Sequence, residues 1–411
     1  MAAKNFGCRS VVNRSKSPVA FMILFALLMC SMLADSIVSK ISLESAAFNQ
    51  KRDYQALQSP KVVRNIKRNV VFPLPLTVST QNKIIRVDKE NGIGKFRRRR
   101  LPEYEIFTSD ELTKKFHGRV LEFFNHGCEV HFFMTWIAKV GSFGRREIMA
   151  VESVFKAHPN GCLMILSRTM DSVQGYRILK PLLDRGFKVL AVAPDFPFLV
   201  KNTPAEAWLD DMKSGKKDPG EIPLAQNLSN LLRLAVLYKY GGVYLDTDFI
   251  VLRSFKGLKN TIGAQSIDVV SKNWTRLNNA VLVFDMNHPL VLKFIEEFAL
   301  TFDGNKWGHN GPYMVSRVVR GVEGRAGYNF TILPPMAFYP VDWMKIGSFF
   351  KLPKDSAGWR WIEAKVWQLK RQTYGVHLWN KQSSKLMVEE GSVIGRLMAE
   401  NCVLCKHVYS S

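Results

Sequence analysis

Within "LLRLAVLYKYGGVYLDTDFIVL" (Leu231 to Leu252), one arginine and two aspartates, Arg233, Asp246 and Asp248, interrupt a mostly apolar run. A buried charge costs several kcal/mol unless a partner or a metal compensates it. Two neighbouring carboxylates repel, and each raises the other's pKa unless a cation sits between them. A hard divalent ion does this well, taking oxygens from both acids and completing its shell with phosphate or water. The simpler reading, an internal Arg–Asp salt bridge, needs only one aspartate.

The elements that must position these groups follow from the local pattern. Asn227 to Tyr240 has the spacing of a helix apolar on most sides, and Gly241–Gly242 stops it. Its one polar stripe is Gln226, Asn230 and Arg233, at spacings of four and three. "GVYLDTDFIVL" then reads as a strand whose alternation puts Tyr244, Asp246 and Asp248 on one side. Upstream, "VHFFMTWI", "CLMILS" and "FKVLAVAP" read as buried strands, separated by helical stretches, the second of them broken near Pro181. Downstream come a strand at "NAVLVF", helices at "PLVLKFIEEFALTF" and "GPYMVSRVV", and a last strand at "YGVHLW". Strands alternating with helices predict an α/β fold with a mostly parallel sheet.

The first quarter reads differently. Basic residues precede the uncharged run Val19 to Ala34, and Asp35 follows it. That order predicts a cytosolic tail (1–18), a signal-anchor span (19–38) and a basic luminal stem (39–125) before a catalytic domain at 126–411. A cleaved signal peptide is the alternative. The net charge of +23 favours anionic partners, but runs such as "KFRRRR" (Lys95 to Arg100) fall in the expected stem, which argues against nucleic acid. In an oxidising lumen Cys128, Cys162, Cys402 and Cys405 allow three pairings. The "CVLC" at Cys402 reads as a structural disulfide before zinc or redox chemistry. Asn227, Asn273 and Asn329 open glycosylation sequons.

"NLLRLAVLYKYGGVYLDTDFIVL" closely resembles the DXD segment of the α-1,4-galactosyltransferase-like glycosyltransferases, including plant relatives; "WGHNGP" (Trp307 to Pro312) and "VHLWN" (Val376 to Asn380) match too. The likeness spans roughly Val130 to Asn380. It implies a GT-A fold, a UDP-linked donor, a divalent cation, commonly Mn2+, and retention of configuration by front-face attack, no nucleophile being identifiable. It implies a glycan or glycolipid acceptor, and the span and stem match a type II Golgi membrane enzyme. By the same resemblance Asp248 binds the metal, Asp246 reaches the metal or donor, Arg233 contacts the donor sugar and Trp136 lies near the uracil. His377 is a late metal ligand. Asn230, Tyr244, His309 and Asn310 are the remaining candidate substrate contacts. Relatives often carry aspartate where this chain has Asn230; an amide there still bonds hydroxyls but supplies no charge. Two other classes remain on residues alone: a phosphatase using a first-strand DxD, and a membrane-anchored carbohydrate-binding or scaffold protein with a degenerate site.

Overall fold

The computed structural model describes residues 106–107 and 109–406, all within the second of two compact units, Asn91–Ser411. The expected tail, span and arginine run lie outside the described residues. Among the described residues no helix is long and apolar enough to cross a membrane.

Seven strands form one sheet in the order β3-β2-β1-β4-β7-β6-β8. They are β1 (His131–Thr135), β2 (Cys162–Leu166), β3 (Lys188–Val192), β4 (Gly242–Leu245), β6 (Thr261–Ile267), β7 (Trp274–Phe284) and β8 (Thr331–Leu333). β3, β2, β1 and β4 run parallel; β7 lies antiparallel between β4 and β6, and β8 parallels β6. The sheet is covered on both faces. Phe132, Met134, Val243 and Leu245 face one core with the helices Arg145–Ala157 and Ser356–Gln372. Phe133, Tyr244 and Leu282 face the other with the helices Leu224–Tyr240, Pro289–Thr301 and Pro312–Val322. Double coverage is why the strands read as continuous apolar runs rather than alternating ones.

Several expectations are corrected. The strand expected over Gly242 to Leu252 is two. β4 ends at Leu245, residues 246–248 turn, and β5 (Phe249–Val251) leaves the main sheet to pair antiparallel with β9 (Gly375–His377). The aspartates therefore lie in the turn at the carboxyl end of β4, not on a sheet face. The helix Val173–Leu183 runs through Pro181 and ends two residues later, with Leu179 and Leu182 beside the proline buried in the first core. β7 begins at Trp274, earlier than expected, as a long partner for β6. Part of the segment expected as stem is folded: Phe116 and Val120 of the helix Phe116–Phe124 are fully buried against the second core.

The cysteines pair as Cys128–Cys162 and Cys402–Cys405. The second bond closes a loop whose backbone N–H groups at Val403, Leu404 and Cys405 all donate to one oxygen of the fully buried Glu152. Of the sequons, Asn273 and Asn329 are exposed. Asn227 is buried within a helix, its Oδ1 accepting from Asn310.

Two glycines fix the approach to the site. Gly241 has φ 65° and ψ −176°, a region essentially closed to other residues. A Cβ on Gly242 (φ 109°) would lie 2.6 Å from the His131 carbonyl. Gly375 fixes the β5–β9 pair, since a Cβ there would come within 2.2 Å of the Phe249 ring and 2.6 Å of the Ile250 carbonyl. Gly375→Ala is therefore expected to cost about 1–3 kcal/mol through overpacking. A denaturation midpoint equal to the wild type's would show that β5 and β9 yield freely.

Candidate active site

β1 and β4 are parallel and in register, so Thr135–Trp136 and Asp246 emerge together at their carboxyl ends. Open α/β sheets bind ligands at this edge. β7 runs the other way and brings Asn278 and Asn279 alongside, with Asp246 N–H donating to Ala280 O at 2.9 Å. The helix Leu224–Tyr240 supplies Ser229, Asn230 and Arg233. Between them lies a cavity of about 530 Å3, which Trp136, Asn230, Arg233, Asp246, Asp248 and His377 all help to line. That volume lies within the range of small-molecule sites.

Arg233 is only 2% exposed. Its guanidinium stacks over the Tyr244 ring, 4.5 Å from the centroid. It donates through Nε to Ser229 O, through Nη1 to Asn279 O and through Nη2 to Ser229 Oγ. Its Nη2 lies 3.0 Å from Asp246 Oδ1, which also accepts from the Tyr244 hydroxyl at 2.9 Å. Burial would lower the arginine's pKa, yet Asp246 holds it above its ordinary value. Burial raises that of the Tyr244 hydroxyl, which stays neutral and a donor.

Asp248 and His377 meet through the β5–β9 ladder. Phe249 pairs with His377, and Leu378 N–H donates to Asp248 O at 2.8 Å. His377 Nε2 then lies 3.1 Å from Asp248 Oδ1 and 3.8 Å from Asp246 Oδ2. Asp248 Oδ2 accepts from Asn380 N–H at 2.8 Å. Burial alone would lower the histidine's pKa, but the two carboxylates overcome it and hold the ring at about 9. Conversely, burial pushes Asp248 up, and the facing imidazolium and the Asn380 N–H overrule it and bring it below its ordinary value. Ligand atoms of Asp246, Asp248 and His377 all lie within 4.8 Å of one another. Two carboxylates and an imidazole suit a divalent transition metal such as manganese.

Other expected contacts fall differently. Trp136 lines the cavity, with its ring edge-on to Phe143. Asn230 lines it too, with Oδ1 accepting from Asn279 Nδ2 at 2.9 Å. Tyr244 does not: its ring is fully buried beneath Arg233, so it orients Asp246 rather than touching a ligand. His309 and Asn310 also lie outside the lining. His309 Nε2 is 2.8 Å from Thr301 O, and the buried Asn310 ties Asp303 to Asn227. They secure the loop before the helix Pro312–Val322.

Sequence reasoning missed Ser229, whose hydroxyl meets Arg233 and Thr135, and the asparagines of β7. The polar "NN" inside an apolar strand was the available signal. It also missed Trp379, which has φ 56° and ψ 57°, a left-handed conformation unusual for so bulky a residue. Its indole donates to Val341 O and sits edge-on to His377, centroids 4.4 Å apart. The turn it makes aims the Asn380 N–H at Asp248. Trp379→Gly is accordingly expected to be more stable than Trp379→Ala by about 1 kcal/mol, since glycine alone takes this conformation without penalty. Chemical denaturation with the alanine variant the more stable would contradict a strained turn.

Comparison with known proteins places this geometry in a family. Residues 144–267 match the glycosyltransferase sugar-binding region containing a DXD motif, and residues 283–409 match the alpha 1,4-glycosyltransferase conserved region. The lactosylceramide 4-alpha-galactosyltransferase of Rattus norvegicus is 34% identical over 267 residues, 62% of this chain and 68% of that protein. An uncharacterized protein of Arabidopsis thaliana is 29% identical over 290 residues, 68% of this chain and 43% of that one. The alpha-1,4-N-acetylglucosaminyltransferase of Homo sapiens is 25% identical over 203 residues, 46% of this chain and 52% of that one. The chain belongs to the α-1,4-glycosyltransferase family with a DXD motif, and it is a glycosyltransferase.

Proposed function

We propose that this enzyme is a divalent-metal-dependent, retaining GT-A transferase. It moves a hexose, galactose or a relative, from a UDP-sugar to a glycan or glycolipid acceptor, forming an α-1,4 linkage. It works at the luminal face of the Golgi membrane, held there by the span expected at 19–38. The observation that carries the reading is the convergence of Asp246, Asp248 and His377 beside a buried arginine in a cavity of ligand size.

In this reading Asp248, His377 and Asp246 hold the ion. When bound, the ion supplies positive charge against the diphosphate that leaves the sugar. Arg233, fixed by Ser229, Asn279 and Tyr244, presents charge that needs no reorganisation during the reaction. Asn230, fixed by Asn279, offers its amide to sugar hydroxyls. Trp136 offers an aromatic wall for the base at the end of β1. The acceptor hydroxyl attacks on the face from which the diphosphate departs.

Two predictions follow. Because the folded protein holds His377 at about 9, the ring is protonated at neutral pH, and taking a metal on Nε2 must displace that proton. Mn2+ binding at pH 7 is expected to release about one proton. Calorimetry in buffers of different ionisation enthalpy measures this, and His377→Asn should abolish it. Release unchanged in that variant would place the proton elsewhere. Second, UDP is expected to bind in manganese, to bind at least about tenfold more weakly in EDTA, and to lose its metal dependence in Asp248→Ala. Folded protein that ignores UDP with manganese would refute the donor assignment, and silence toward other nucleotides would favour a carbohydrate-binding scaffold.

A further inference from the structure

Beside the cavity mouth lies a surface of apolar side chains with no cover. Trp343 lines the cavity, and its neighbour Met344 is 70% exposed. The turn Ile346–Phe350 lies beneath this surface, with Ile346, Phe349 and Phe350 buried. Phe349 meets Trp361 edge-on at 5.7 Å, and Leu352 and Trp359 both come within 3.2 Å of the Cβ position of Gly391. Gly347 packs near Leu386, and Met387 beyond it is 76% exposed. Trp359 and Trp361 are exposed as well. A single exposed apolar residue is ordinary, but a connected set of this kind marks an interaction site.

The charges in the same segment are sorted. Lys345, Lys351, Lys354, Arg360, Lys381 and Lys385 take part in none of the ion pairs found among the described residues. Four nearby acids are engaged within the protein, while Glu390 beside Gly391 is exposed. Asp342 accepts from Met344 N–H, Asp355 caps the helix Ser356–Gln372, Glu389 accepts from Leu352 N–H, and Glu363 pairs with Arg396. Lysine is depleted from the cores of protein–protein interfaces. Tryptophan set among lysine and arginine is instead the composition that settles at a lipid headgroup layer.

We propose that this face docks on a lipid bilayer. Trp359 and Trp361 lie at headgroup level, and Lys345, Lys351, Lys354, Arg360 and Lys385 meet anionic headgroups, while Lys381 stacks on Trp307. The docked face holds the cavity mouth, at Trp343 and Trp307, against the membrane. An acceptor sugar carried on a lipid then reaches the cavity without leaving the bilayer. That last consequence rests on the transferase reading above; the membrane contact itself does not.

The test uses the full chain reconstituted into vesicles of phosphatidylcholine with a minor fraction of phosphatidylserine, the acyl chains brominated, with quenching of tryptophan emission as the readout. The native protein is expected to be quenched, more strongly with phosphatidylserine than without. Trp359→Ser/Trp361→Ser and Lys351→Glu/Lys354→Glu, none of which lines the cavity, should each lose quenching by about twofold. Quenching identical in the native protein and both variants would show that other tryptophans, not this face, meet the lipid, and would overturn the proposal. So would a native protein blind to bromine, the result expected of a surface built for a protein partner. UDP binding with manganese, measured alongside, reports the donor site separately: its failure with quenching as expected would sink the UDP-donor assignment and leave the docking intact.

Discussion

The site depends on a balance of buried charge. Arg233, Asp248 and His377 are almost wholly removed from water, and Asp246 is mostly so. Arg233 answers Asp246, which leaves Asp248 facing a histidine. That histidine stays protonated well above its usual range because a carboxylate lies 3.1 Å from Nε2. The imidazolium proton therefore does for the metal-free protein what a divalent ion would do in the liganded enzyme proposed above. It lets two carboxylates share a dry pocket without driving each other to protonation. Removing one partner of such a set leaves an uncompensated charge, which is far costlier than exchanging a proton for a metal.

The rest of the fold maintains that balance. The parallel strands β1 and β4 bring Thr135 and Asp246 out at one edge, and β7 returns beside them with Asn279, which fixes both Arg233 and Asn230. The small β5–β9 pair then carries a late segment of the chain back to Asp248. It can do so because the turn at residues 246–248 breaks the strand and sends β5 out of the main sheet. Gly375 provides the room at one end of β9, and the left-handed Trp379 makes the turn at the other. Strain at Trp379 is thus stored where it directs a backbone N–H onto a carboxylate.

Much of this was legible in the sequence, for identifiable reasons. Local periodicity showed the helix carrying Asn230 and Arg233, its Gly–Gly stop and the strands β1 to β3. Charge inside an apolar run showed Arg233, Asp246 and Asp248. What failed was whatever depends on long-range pairing. Alternation could not reveal that the strand breaks at Asp246, since either side of the break is β-like and apolar. Nor could it reveal that Tyr244 points under Arg233 rather than into the cavity, or that Asn310 is spent on the buried Asn227. His377 was suggested by a family likeness, but its contact with Asp248 exists only through the register of β5 on β9. The disulfide pairing likewise became readable only with the strands in place, Cys162 lying at the start of β2 and Cys128 just ahead of β1.

The most direct measurement is a crystal structure grown with manganese and UDP, with the ion located by its anomalous scattering. The account predicts manganese bonded to Asp248, Asp246 and His377 Nε2, in the space where the protonated ring and the carboxylates now meet, with Arg233 still paired to Asp246. An ordered site in which His377 keeps its contact with Asp248, and manganese lies elsewhere or nowhere, would contradict it.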